Sequence, residues 1–535
     1  MVEKDELIKR VWPDTFVEEG GLARNISLLR KVLGEGSDDS HYIETIPRRG
    51  CRFVAPLLEA REPGEAREDR RASRSLAVLP LVNFSSNPDE DFFADGMTDE
   101  LISHFMKIEA LRVSSRTSVM LYKGASKSLR QIARELDVTW VVEGTVLHSG
   151  GRIRITARLI DGTTEEHVWA ETYEKDLQGV LALQSEVASD IAREIRVKVS
   201  PPEKVKLAKS RPVNPESYQD YLRGRYFWNK RTTEGLMRAR EYFREAIEKD
   251  PTYAPAYSGL ADAYALMGST GYDVMPPREA MPLARAAATN ALQIDDTLAE
   301  AHAALGYVAL VYDWDVSAAE RELARAIELN PSYATAFQWQ GELLMARAQP
   351  EEATGAFKRA LELDPLSIPC NLGLGWSYYF SRKYDHAIAQ YRRTLEIAPN
   401  VPMALYGLGL AYGLKNLPME GSSEFQKAHT SSGGEVAAVM LVGVTHALAG
   451  HRKAVDVELA RLHALSRQKY VPAVYFAFIY IALNDLDPAF EWLRRACEER
   501  STYLIFLNVQ PSLDRVRADP RYQHLLNRVG LKGTP

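Results

Sequence analysis

The stretch Tyr42–Ala55, "YIETIPRRGCRFVA", sets Arg48 and Arg49 between two short apolar runs. Apolar runs flanking a segment bounded by Pro and Gly read as a β-hairpin with both cations at its tip. A guanidinium there suits phosphate or a narrow DNA minor groove; the simpler alternative is a solvated turn. A second chemical cluster is the acidic run Asp89, Glu90, Asp91, Asp95, Asp99 and Glu100. It lacks the spacing of a calcium loop. Carboxylates are favoured at a helix N-terminus, so the expectation is a solvated loop leading into a helix. "GLGLAYG", starting at Gly407, lacks the full dinucleotide fingerprint and the strand that should precede it. The 11 histidines are scattered without metal-ligand spacing. There is no HExxH, P-loop or GxSxG segment. The chain is expected to be no enzyme and to use no cofactor or metal. Cys51, Cys370 and Cys497 lie far apart, which fits a reducing compartment.

The residues before the hairpin must position it. "KDELIKRVW" reads as a short helix with Leu7, Ile8 and Val11 on one side. After the loop "PDTFVEEG", the segment "GLARNISLLRKVL" places Leu22, Ile26, Leu29 and Leu33 on one helical stripe. At about 100° per residue, Arg24, Ser27 and Lys31 point away from that stripe, and Asn25 and Leu28 flank the outer face. Residues 1–56 hold nine Lys/Arg against ten Asp/Glu, and the whole chain carries a net charge of −6, so any attraction for a polyanion is local.

The order helix, loop, helix, hairpin resembles the winged-helix DNA-binding domain of OmpR-type transcription regulators, on "LIKRVWPDTFVEEGGLARNISLLRKVLG" and "YIETIPRRGCRFVA". The resemblance implies that the second helix enters the major groove of double-stranded DNA and that the hairpin is the wing. By position, Asn25, Ser27 and Leu28 would face bases or the groove floor, Arg24 and Lys31 would reach phosphates, and Arg48 and Arg49 would sit on the wing. Asparagine is able to pair bidentately with adenine. The loop from Trp12 to Glu19 would be the segment that touches RNA polymerase. The chain departs from the family in three ways. The family's small sheet and further helix upstream of Lys4 are missing, Cys51 replaces a usual tyrosine, and Ser27 and Leu28 stand where basic residues are common. The expectation is a partial winged helix over residues 1–56, with either a true start upstream of Met1 or a crippled domain.

Residues 57–75, "LLEAREPGEAREDRRASRS", alternate charges without an apolar period and read as a linker. Residues 76–199 form the next domain. "LAVLPLV" is a short buried strand, Thr98 is a candidate helix N-cap, and "HSGGR" is a hairpin turn with glycines at its tip. Arg152, Arg154 and Arg158 alternate with Ile153, Ile155 and Ala157, which implies an antiparallel sheet with one basic, wet face beside helices. "AVLPLVNFSSNPDEDFFADGMTDELI" and "VVEGTVLHSGGRIRITARLIDGTTEEHVWAETY" resemble the TolB N-terminal-type domain that accompanies bacterial regulators and adenylate cyclases. That resemblance implies no catalytic role.

After a Pro- and Lys-rich linker, residues 200–213, the chain reads as helical to its end. "AIELNP", "ALELDP" and "TLEIAP" end at Pro331, Pro365 and Pro399, 34 residues apart, and Ala319, Ala353 and Ala387 recur with the same period. This resembles the tetratricopeptide repeat over roughly residues 214–500, within a solenoid that runs with its cap over 214–535. About eight repeats are expected, one stretched by "GSTGYDVMPPREAM", the last ones degenerate, with "DPRYQHLLNRVGL" capping the stack. Glycines 259, 306, 341 and 375 would let paired helices approach, with aromatics between them. Such a solenoid offers a groove for an unknown protein or peptide.

The fold class expected is multidomain and mainly α: a truncated winged helix, a central α+β domain and a C-terminal α-solenoid. The reading is a sequence-specific, cytoplasmic regulator, CadC-like in plan but without a membrane span. The alternative is an interaction scaffold carrying a remnant winged helix.

Overall fold

In the computed structural model the described residues are 2–3, 26–27, 43–46, 50–53, 75–85, 90–195 except 109, 213–415, parts of 417–427, and 436–531. The chain divides into two compact units, Met1–Ser73 and Arg74–Pro535.

In the first unit, strands β2 (Ile43–Ile46) and β3 (Gly50–Phe53) pair antiparallel from Ile43↔Phe53 to Ile46↔Gly50. Strand β1 (Val2–Glu3) joins the other edge of β3, giving the order β1-β3-β2. The sequence reading did not anticipate β1. Ile26 and Ser27 are helical, Ile26 partly buried and Ser27 exposed, as the apolar stripe requires.

The second unit starts with an α+β layer. Its elements are β4 (Ser75–Val78), β5 (Val82–Asn83), α1 (Asp91–Met106), β6 (Arg112–Val113), α2 (Arg116–Met120), α3 (Leu129–Glu135), β7 (Trp140–Ser149), β8 (Arg152–Asp161), β9 (His167–Asp176) and α4 (Val180–Glu194). Leu76, Ala77 and Val78 of β4 are fully buried. The sheet is mixed and not antiparallel throughout: β4 runs parallel to both β6 and β7, while β7, β8 and β9 form an antiparallel meander. Helical crossovers between β4, β6 and β7 impose the parallel pairs, because parallel neighbours need a long connection. The β7–β8 turn is the expected two-residue hairpin, with Gly150 and Gly151 at φ +60° and +77°. Ile153, Ile155 and Ala157 face the core. The opposite face is wet but not basic, since Arg152 and Arg154 pair with Glu174 at 3.1 and 3.0 Å and Arg158 with Glu143 at 3.3 Å.

Thr98 is not an N-cap. Helix α1 begins at Asp91, and Thr98 lies buried in its middle. Its hydroxyl donates to the Ala94 carbonyl at 2.8 Å and accepts from the Leu81 amide at 3.0 Å. It thereby satisfies a backbone donor in the break between β4 and β5.

Paired helices follow: α5 (Pro215–Asn229), α6 (Thr233–Lys249), α7 (Ala254–Met267), α8 (Pro277–Ile294), α9 (Ala299–Val308), α10 (Val316–Leu329), α11 (Ala334–Ala346), α12 (Pro350–Leu363), α13 (Ile368–Phe380), α14 (Tyr384–Ile397) and α15 (Pro402–Leu414). Helices α16 (Val436–Leu448), α17 (Arg452–Leu465), α18 (Ala473–Ala482) and α19 (Leu486–Glu498) continue the stack, and α20 (Pro520–Arg528) packs on α19. "GLGLAYG" is the interior of α15.

The period has a packing cause. Phe357 of α12 is wedged between Gly341 of α11 and Gly373 of α13, and Tyr391 of α14 between Gly375 and Gly407. A Cβ at Gly341 would stand 2.7 Å from the Phe357 ring, closer than packed atoms allow. Among the described residues, five hairpin turns also put one residue in the left-handed region: Trp314, Ala348, Arg382, Gly450 and Asn484, at φ 61°, 57°, 60°, 74° and 57°. These numbers fall in one 34-residue register. After four of them the next amide reaches back to a carbonyl of the preceding helix, as in Gln349 to Leu344, Lys383 to Tyr378, His451 to His446 and Asp485 to Tyr480. The hairpins after residue 433 therefore keep the register although their sequence phrases have decayed.

Candidate interaction surfaces

Of the residues expected to meet DNA, only Ser27 lies within the described residues, exposed on its helical turn. Arg24, Asn25, Leu28, Lys31, Arg48, Arg49 and the loop Trp12–Glu19 lie outside them. The register Ile46↔Gly50 leaves Pro47, Arg48 and Arg49 as the whole connection between β2 and β3.

In the second unit, the end of the acidic run, Asp99 and Glu100, fastens the α+β layer to the solenoid, while its earlier members pair within the layer. Asp91 and Asp95 pair with Lys123 at 3.3 and 2.7 Å. One turn further, Asp99 pairs with Arg225 of α5 at 3.1 Å, with Arg116 of α2 at 3.9 Å. Glu100 accepts from the Tyr221 hydroxyl at 3.0 Å. Asp95 and Asp99 are buried. Asp89 lies outside the described residues and Asp91 is half-exposed in the first turn of α1, as expected, but the run does not stay solvated: Asp95 is buried, and Asp99 and Glu100 form the seam between the sheet domain and the first repeat helix. Gly96 makes the seam tight, since a Cβ there would lie 2.7 Å from Leu222.

Burial governs the protonation of this seam. It raises the Glu100 carboxyl to about 7, with Asp99 adding to the rise. Burial likewise raises Asp262 of α7 to about 7, although Arg225 lies 4.0 Å away. Burial lowers the His104 imidazole to about 3, and Lys107 acts in the same direction. For Arg225, burial opposes the charge, yet Asp99 holds the guanidinium well above its ordinary range.

A second contact joins α2 to the turn between α12 and α13. In other repeats the polar residue of that turn accepts from the residue two positions on: Asp250 from the Thr252 amide and hydroxyl, Asp295 from the Thr297 amide and hydroxyl, and Asn330 from the Ser332 amide. At Asp364 the residue two positions on is Leu366, which has no hydroxyl. Ser118 of the α+β layer takes that place. Its hydroxyl donates to the Asp364 carboxylate and accepts from the Leu366 amide at 3.0 Å.

The first helices of the solenoid and the turns that follow them carry a third arrangement. The chain after α19 does not simply cap the last hairpin. Residues 500–516 turn back across the first helices of earlier hairpins. The amide of Thr270 donates to the Thr502 hydroxyl at 2.9 Å. Arg382 donates to the Val509 carbonyl at 2.8 Å and to both oxygens of Asp514 at 2.8 and 3.0 Å. Phe506 stacks on Phe380 with centroids 5.5 Å apart. The stretched repeat has a related use: Asp273 of its insertion accepts from Tyr475 of α18 at 2.8 Å, tying the second hairpin to the eighth. Among the described residues no group of three His, Cys, Asp or Glu side chains could hold a metal ion.

The second unit is a mixed sheet domain joined to a stack of paired helices. Residues 72–190 match the family described as HilA/YgeH-like transcriptional regulator, second domain. Residues 308–368 and 372–418 match the tetratricopeptide repeat. The transcriptional regulator HilA of Salmonella typhimurium is 23% identical over 392 residues, covering 72% of this chain and 68% of that one. A Rhizobium meliloti protein named "Putative adenylate cyclase 3" is 34% identical over 258 residues, 46% of this chain and 44% of that one. The chain thus spans less than half the length of that relative. The transcriptional activator CadC of Escherichia coli is 37% identical over 67 residues, 12% of this chain and 13% of that one. These likenesses point to regulator and repeat-scaffold families.

Proposed function

We propose that this chain is a sequence-specific, DNA-binding transcription regulator whose repeat solenoid engages a protein partner. The observation that carries the proposal is the order of parts. A regulator-type second domain at residues 72–190 follows a hairpin whose connection is Pro47, Arg48 and Arg49. In this reading residues 1–56 are an OmpR-type winged helix, 57–75 a linker, 76–199 a TolB-like domain, 200–213 a second linker and 214–535 the solenoid with its cap. Asn25, Ser27 and Leu28 face the major groove, Arg24 and Lys31 neutralise phosphates, and Arg48 and Arg49 form the wing. The loop Trp12–Glu19 is the surface offered to RNA polymerase. Work on DNA places the chain in the cytoplasm. No helix among the described residues is long and apolar enough to cross a membrane. The test is footprinting of the full chain on DNA upstream of its own gene. A protected, sequence-defined site is expected, and uniform cleavage at all protein concentrations would reject the proposal.

The balance of nine Lys/Arg against ten Asp/Glu in residues 1–56 favours a second reading, a scaffold with a remnant winged helix. Failure of the footprint with retained capture of protein partners would select it.

A further inference from the structure

A solenoid groove open to a peptide would leave apolar and polar groups of its first helices without intramolecular partners. Here residues 500–516 take a share of those groups. Leu504, Ile505, Leu507, Val509 and Leu513 are all buried, and they enter three separate apolar clusters. Ile505 packs with the cluster that includes Trp339 of α11. Val509 packs with the cluster of Phe357, Tyr379 and Tyr391. Leu504, Leu507 and Leu513 pack with the cluster of Phe476 and Phe490 near the end of the stack. One short segment thus completes the cores of hairpins far apart in sequence.

The polar contacts run the same length. Thr502 meets Thr270 with hydroxyls 2.9 Å apart, Arg500 donates to the Tyr312 carbonyl at 3.2 Å, and Arg382 grips Val509 and Asp514. Two of the contacts come from the left-handed turn positions. Arg382 is one, and Trp314, with the Arg500 guanidinium 4.1 Å over its ring, is the other. The Tyr522 hydroxyl donates to the Leu507 carbonyl at 2.6 Å, so the capping helix α20 holds the segment from behind. A strap poised to open would hang on one or two anchors. This one has anchors along its whole length.

We infer that residues 500–516 are a built-in ligand of the groove, permanently seated, and that a protein partner engages this chain outside the inner face of the third to eighth hairpins. The inference narrows the partner reading proposed above, and its test needs neither DNA nor a partner. The test is native-state hydrogen exchange of the full chain, read by mass spectrometry. Peptides spanning 502–516 are expected to exchange within about tenfold of those from α11, α13 and α18, because a shared core opens as one cooperative unit. Exchange of 502–516 more than about tenfold faster than those helices would show a segment that leaves the groove by itself. That result would overturn the inference and return the groove to a peptide partner.

Discussion

The guanidinium of Arg225, on the first repeat helix, lies 3.1 Å from the carboxylate of Asp99, on the first helix of the sheet domain. Both side chains are mostly shielded from water, at 20% and 9% exposure. Removing one partner of such a pair leaves the other charge buried and uncompensated. Asp99→Asn is expected to lower unfolding free energy by about 3 kcal/mol. Asp91→Asn, on the half-exposed end of the same run, is expected to cost less than about 1 kcal/mol. Urea denaturation of both variants checks the contrast, and equal losses would contradict the seam.

Ser118 completes the fourth repeat's turn from outside. Ser118→Ala removes one donor from a buried carboxylate, with an expected cost of about 1–2 kcal/mol. Thr252→Ala, at the equivalent turn of the first repeat, involves an exposed side chain and is expected to cost less. Denaturant midpoints of the two variants measure the difference.

The glycines of the stack divide by their neighbours. Gly341→Ala drives a methyl into the Phe357 ring and is expected to destabilise by about 1–3 kcal/mol. Gly355→Ala meets nothing within 4 Å, on an exposed turn of α12, and is expected to stabilise by about 0.5–1 kcal/mol through helix propensity. Thermal melts of opposite sign are the expected result.

The seam also sets a pH dependence. Glu100 and Asp262 titrate near 7 in the folded chain, above their ordinary 4.5 and 3.8, so the folded state binds more protons in that window. Their contribution is therefore greatest at low pH and is lost as pH rises through about 7. His104 works in reverse. Its imidazole is held to about 3 against an ordinary 6.5, so stability is lost as pH falls below 6.5. The two carboxyls outweigh the single imidazole from about pH 4.5 and act alone from 6.5 to about 7, so stability is expected to decline across that range and to level off above it. Glu100→Gln is expected to flatten that decline in a denaturation series, and an unchanged slope would exclude Glu100 as its source.

Much of the architecture is legible in the chain because it repeats locally. The 34-residue recurrence of Ala319, Ala353 and Ala387 reports a packing rule that each hairpin obeys with its neighbour. Gly150 and Gly151 announce their turn because few other residues adopt its backbone. The hidden features join distant segments. Asp99 meets Arg225, Ser118 meets Asp364 and Thr270 meets Thr502, and no local period encodes such pairs. Each left only a faint local trace. The acidic run continues past the first turn of its helix, the "DPL" turn lacks its hydroxyl, and the chain after Ser501 stays apolar where a cap needs little apolar surface. Of the candidate DNA contacts, the described residues include Ser27 alone, and its exposure agrees with the helical stripe.

The central claim is that Arg48 and Arg49 form a wing that touches the DNA backbone. Fluorescence anisotropy of the full chain and of the Arg48→Ala/Arg49→Ala variant, on the upstream DNA across a range of salt concentrations, tests it most directly. Loss of two phosphate contacts is expected to weaken binding by about 1–3 kcal/mol and to reduce the slope of log affinity against log salt by about two. An unchanged slope, with affinity intact, would contradict the wing and leave the two arginines as a solvated turn.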